Sequence, residues 1–127
     1  MDSHAQRIRR GLLKIQGVIE SPGIFAEDDA FWVNGREIAH FHGDDAVELR
    51  LTRQAISAQR KRLKEEPRVE LRAASSDWIS VRFSSARDVT LVLELAEIAA
   101  NAHRPPPGVA AKPPPTGAAL ERRRRFH

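Results

Sequence analysis

Apolar residues recur along this chain with two different periods, and the alternation between them marks out its elements. Ile8, Leu12, Ile15 and Ile19 are spaced by three and four residues, as on one face of a helix. Arg7, Arg9, Arg10 and Lys14 fall mostly off that stripe and read as its solvated side. Gly17 and Ser21-Pro22-Gly23 limit how far this helix can run. From Phe31 the pattern becomes that of strands. Asn34-Gly35 lies between two apolar runs, and a type I′ hairpin turn needs positive φ at both central residues. A turn there pairs Val33 with Arg36, Trp32 with Glu37 and Phe31 with Ile38. A second turn at Gly43-Asp44-Asp45 leads into a stretch where Val47, Leu49 and Leu51 alternate with Glu48 and Arg50, as in a half-buried strand.

Thr52 can cap a helix running to about Lys64, with Ile56 and Leu63 on its apolar side. The cluster Arg60-Lys61-Arg62-Leu63-Lys64 sits near its end, where cations favour the helix dipole. Pro67 closes that segment. Arg68–Arg72 and Trp78–Phe83 then alternate as two strands around a polar turn. The clearest helix follows. Ser85 and Asp88 resemble a capping box, and Val89, Val92, Leu93, Ala96 and Ala99 form a broad apolar face. The element order is α-β-β-β-α-β-β-α, an α+β fold with a mostly antiparallel sheet packed against helices. After His103 the chain becomes rich in Pro, Gly and Ala. We read 1–103 as the folded domain and 104–127 as a basic, flexible or polyproline-like disordered tail.

Composition changes this picture in two places. A 127-residue chain that is 41% hydrophobic can build one ordinary core. Its formal charge of +4 is unevenly placed: from Arg104 onward lie six Lys and Arg and one acid, leaving 15 basic and 16 acidic residues before it. Any attraction to nucleic acid or acidic surfaces therefore belongs to the tail. The chain has no cysteine, which excludes disulfides, thiolate metal sites and cysteine nucleophiles. No apolar run is long enough to span a membrane, and the N-terminal residues lack a secretory pattern, so a cytoplasmic protein is expected.

The stretch Glu37-Ile38-Ala39-His40-Phe41-His42-Gly43-Asp44, followed by Leu49 and Leu51, resembles the bacterial luciferase-like domain family. The later run Ser76-Asp77-Trp78 through Ala99 extends the likeness, which covers about residues 8–103. The arrangement is also similar to the MmcQ/YjbR-type α+β fold. The resemblance implies a small α+β domain and brings no assigned catalytic residues or cofactor.

The candidate chemistry centres on His40 and His42, two residues apart and so on one face of a strand. Such a pair is a common metal half-site, to which Asp44 or Asp45 could add oxygen ligands. Their face depends on the second turn. A two-residue loop places them with Val47 and Leu49, and a three-residue loop turns them to the opposite side. Trp32 and Trp78 are candidate pocket walls, though large aromatics also serve small cores. Arg122, Arg123, Arg124 and Arg125 are candidate nucleic-acid contacts, by phosphate neutralisation. Neither a Walker loop, a Gly-x-Gly-x-x-Gly nor a nucleophile elbow is present. The expectation is a module that binds a small molecule or a protein partner without established catalysis. The alternatives are a metal- or cofactor-assisted enzyme at His40 and His42, or nucleic-acid binding through the tail.

Overall fold

The computed structural model describes residues 2–25 and 28–126. Helix α1 (His4–Lys14) opens the chain, capped by Ser3, whose hydroxyl accepts from Gln6 N–H while the Gln6 side chain accepts in return. It ends five residues before Ile19, which instead begins an edge strand, β1 (Ile19–Pro22). The three- and four-residue apolar spacing thus continues past Ile15, whose extended backbone ends the helix, and past Gly17, whose φ of 89° serves the turn into β1. Then follow β2 (Asp29–Val33), β3 (Arg36–His42) and β4 (Ala46–Arg50). The expected second helix is two short ones, α2 (Arg53–Ala58) and α3 (Arg60–Glu65), interrupted at Gln59. After β5 (Val69–Leu71) and β6 (Trp78–Arg82) comes α4 (Ala86–His103).

The six strands form one antiparallel sheet in the order β1-β2-β3-β4-β6-β5. Alternate side chains go to opposite faces. One face carries Phe31, Val33, Ala39, Val47, Leu49, Ile79 and Val81, which join Ile8 and Leu12 of α1 and Val92, Leu95, Ala96 and Ala99 of α4 in a single core. Each large aliphatic side chain buried there contributes roughly 1.5–3 kcal/mol. Helices α1 and α4 approach closely because Gly11 has no side chain: a Cβ there would lie 2.5 Å from Leu93 Cδ1.

Two registers position everything on the other face. In the first hairpin Asn34 (φ 51°) and Gly35 (φ 75°) both take positive φ, and Val33–Arg36 and Trp32–Glu37 pair as expected. The third pair differs: Phe31 lies opposite Ala39, not Ile38, across an irregularity between Phe31 and Trp32. Ile38 is the extra residue of a β-bulge, and its burial in the helix-side core stabilises it there. In the second hairpin Phe41 faces Val47 and His42 faces Ala46, a three-residue loop. Phe41 therefore joins the helix-side core, and His40 and His42 turn away from it.

The segment after His103 runs against the first hairpin. Lys112 N–H donates to Asn34 Oδ1 at 2.9 Å, and residues Gly117–Arg125 form helix α5. Arg123 donates to the Gly35 carbonyl at 2.8 Å, and Arg124 donates twice to that of Gly23. Leu120 is buried. Proline and glycine content cannot reveal such docking, because the partners are backbone carbonyls 88 and 101 residues away. Among the described residues no helix is long and apolar enough to cross a membrane.

The start of α4 is the best-defined cap. Ser85 Oγ accepts from Asp88 N–H at 3.2 Å, and Asp88 Oδ2 accepts from Ser84 N–H at 2.9 Å, one residue earlier than in a standard capping box. Burial by itself would raise the Asp88 carboxyl, but its hydrogen bonds to Ser84 and Ser85 and the nearby Arg68 hold it below its ordinary value. Its stabilising contribution is therefore complete above the ordinary carboxylate range and is lost as pH falls through its lower folded value. Asp88→Asn is expected to lower stability by about 1 kcal/mol at pH 7 and to flatten the acid limb of stability. Urea denaturation at several pH values checks both; an unchanged acid limb contradicts the assignment.

Candidate functional site

The bulge at Ile38 has a chemical consequence. In a regular strand, residues three apart lie on opposite faces, so Glu37 and His40 could not meet. With one extra residue between them they share the face away from α1 and α4. His40 Nδ1 lies 2.8 Å from Glu37 Oε2. The three-residue loop adds the other side: Glu48 lies directly across from His40 on β4, and His40 Nε2 is 3.0 Å from Glu48 Oε1. One imidazole is held between two carboxylates.

The chain of polar contacts continues outward. Ile24 N–H donates to the second oxygen of Glu37 at 2.5 Å. The Ser80 hydroxyl donates to Glu48 Oε2 at 3.3 Å, and Arg72 forms an ion pair with that same oxygen. The Glu37 and His40 side chains are 0% and 8% exposed, so these contacts replace water rather than supplement it. Both ring nitrogens are thus engaged by carboxylates. The contacts run in sequence from Arg72 through Glu48 and His40 to Glu37.

Aromatic rings cover His40. Phe25 stacks on it with centroids 5.9 Å apart, Trp78 lies 5.1 Å away, and Phe25 meets Trp78 edge-on at 4.9 Å. Arg50 lies over the Trp78 ring at 5.7 Å. Beside this cluster an open groove of about 510 Å³ runs between the first hairpin and the C-terminal segment. Glu37 and Arg50 line it from the sheet, Arg36 from the hairpin, and Lys112, Arg123 and Phe126 from the C-terminal segment. Burial pushes the Arg50 guanidinium below its ordinary value, as does Arg36, against the opposing pull of Asp77 and Glu37.

The residues that the sequence nominates meet different fates. His40 is central. His42 shares its face, but its side chain is 79% exposed and Nδ1 stands 3.9 Å from Glu48 Oε1. Asp44 and Asp45 are exposed in the turn. Both His40 nitrogens are engaged elsewhere, and among the described residues no group of three or more His, Asp or Glu side chains could hold a metal ion. Trp78 packs on His40, whereas Trp32 is wholly buried with Nε1 donating to the Ser21 carbonyl at 3.2 Å. Arg123 and Arg124 spend donors on the chain's own carbonyls; Arg122 and Arg125 are exposed. His103 lies apart on α4, where burial pushes its imidazole down despite the hydrogen bond from Nδ1 to the Ala99 carbonyl at 2.8 Å.

Glu37 and Glu48 are the site residues that alternation alone does not nominate. Glu48 is legible once the loop has three residues, because it then faces His40. Glu37 is not, because a bulge leaves no mark in the pattern of apolar positions.

These observations define a class: an α+β domain with helices on one face of an antiparallel sheet and a buried carboxylate–imidazole–carboxylate chain on the other. Residues 35–99 match the luciferase domain family, and the chain belongs to it. The match contains Glu37, His40, Glu48 and Arg72 but ends before Lys112 and Arg123. No curated protein and no solved structure matches the chain.

Removing the imidazole leaves two buried carboxylates facing one another. His40→Ala is therefore expected to destabilise the protein by about 3–5 kcal/mol, the range for breaking a buried ion pair on one side. Restoring neutrality with Glu37→Gln in the same chain should recover part of that loss. Chemical denaturation of the single and double variants measures the coupling, and additive losses would show that the three side chains do not act as a unit.

Proposed function

We propose that this luciferase-domain chain is a binding module that takes a small ligand in the groove between the first hairpin and the C-terminal segment. The observation that carries this reading is Glu37. This residue borders the groove with its side chain wholly buried beneath it and hydrogen-bonded to the shielded His40, so the floor of the groove is held rigid by the buried polar chain. A volume near 510 Å³ falls within the range of small-molecule pockets. The aromatic cover and the engagement of both ring nitrogens suit His40 to holding Glu37 in place rather than to exchanging protons with a substrate.

A second reading is an enzyme in which His40 is a general acid or base. Its support is the imidazole–carboxylate pairing, which orients catalytic histidines in many hydrolases. It requires Phe25 or Trp78 to move, because a base must reach the proton it takes. The MmcQ/YjbR-like arrangement, a likeness of element order, adds no site residue to either reading.

A fragment screen by NMR on the isotope-labelled full chain tests the first reading. Hits are expected to shift the backbone amides of Gly35, Arg36 and Glu37. A screen in which no fragment perturbs these residues overturns it. Loss of stacking on the ring upon hit binding, seen as movement of the Phe25 and Trp78 resonances together with the His40 ring, would favour the enzyme reading.

A further inference from the structure

The groove's lining is unevenly charged. Arg36, Arg50, Lys112 and Arg123 border it with a single acidic residue, Glu37, whose side chain is buried. That carboxylate is already engaged at both oxygens, by Ile24 N–H and by His40. Among the described residues, Arg36, Lys112 and Arg123 have no ion pair with a carboxylate, and Arg50 stands 3.9 Å from the nearest one, on Asp77. Cations that converge on one concavity without counter-charges repel each other, and the arrangement gains stability when an anion enters.

Two elements far apart in sequence build the lining. Arg36 and Arg50 come from the sheet, and Lys112 and Arg123 from the C-terminal segment. The segment is seated by contacts that do not involve the Lys112 ammonium. Lys112 is held by its backbone N–H on Asn34, and a Cβ on Gly35 would lie 3.1 Å from Lys112 Cβ. Arg123 uses one donor on the Gly35 carbonyl and has others to offer. Phe126, 84% exposed, adds an apolar wall at the mouth.

We propose that this groove is an oxyanion site completed by the C-terminal segment, taking a small organic molecule that carries a phosphate or carboxylate on an apolar body. Guanidinium forks match both oxyanions in geometry, and Lys112 adds a point charge. Phe126 meets the apolar body. The inference rests on the groove being the ligand site and names the class of ligand it takes.

Three probes that share a ring and differ in charge provide the test: phenyl phosphate, benzoate and neutral benzyl alcohol. Each is titrated into the labelled full chain in 150 mM salt ~ physiological ionic strength. Phenyl phosphate or benzoate is expected to shift Gly35, Arg36 and Lys112 amides, with benzyl alcohol binding at least tenfold more weakly, as roughly expected for loss of charge-assisted hydrogen bonds. Whichever anion binds more tightly identifies the oxyanion. Arg36→Gln and Lys112→Gln, both at exposed positions, should each weaken that anion about tenfold, while Lys61→Gln on α3 leaves it unchanged. Benzyl alcohol binding as tightly as the anions overturns the inference and leaves the groove reading standing. Anions that bind nowhere in the groove, or that lose equal affinity in Lys61→Gln, also overturn it, and the groove reading is then judged by the fragment screen.

Discussion

One extra residue in β3 governs the open face of this sheet. Ile38 is taken into the helix-side core, and this reverses the alternation so that Glu37 and His40 lie side by side. Bulges often re-aim a side chain beside a functional site, and here the re-aimed side chain is His40, which in a regular hairpin would point into hydrocarbon. The apolar burial of Ile38 and the polar pairing of Glu37 reinforce each other. A regular pairing of Phe31 with Ile38 would keep the isoleucine in the core but turn His40 into it, away from Glu37.

The consequence is a domain with two unlike interiors. On the helix side, α1 and α4 bury aliphatic side chains in the usual way, and packing alone holds them. On the other side, burial is polar. Glu48 is tied to His40, Ser80 and Arg72, and Glu37 to His40 and the backbone of Ile24. Buried charges of this kind stabilise less than a hydrophobic replacement could, because their desolvation offsets most of the Coulomb gain. What they supply is position: each member has one partner on each side, so a shift in any strand breaks several contacts at once. That rigidity suits a face that presents a ligand groove.

The C-terminal segment belongs to this second interior. Its donors reach the Gly23 and Gly35 carbonyls, at the loop above Glu37 and at the tip of the first hairpin. The luciferase domain match ends before it. The buried polar chain therefore lies within the family's span, whereas two of the cations around the groove lie beyond it. A ligand preference set by those two would be particular to chains that carry such a segment.

Local pattern in the sequence determined a large part of this protein. Asn34-Gly35 specified the first turn because few residue pairs tolerate two positive φ angles. The alternation of Val47, Leu49, Ile79 and Val81 specified the helix-side face, and the apolar stripe of α4 specified what covers it. The same pattern marked His40 and His42 as candidates, yet left their face open, since a one-residue change of loop length exchanges the two sides. Tertiary structure decided that question, along with the bulge at Ile38 and the course of the C-terminal segment. In each case the deciding contact joins residues distant in sequence or competing by small differences in burial. The packing of Ile38 in the helix-side core, the pairing of His40 with Glu48, and the reach of Arg123 to the Gly35 carbonyl are not properties of any local stretch. They exist only once the whole sheet has closed on its helices.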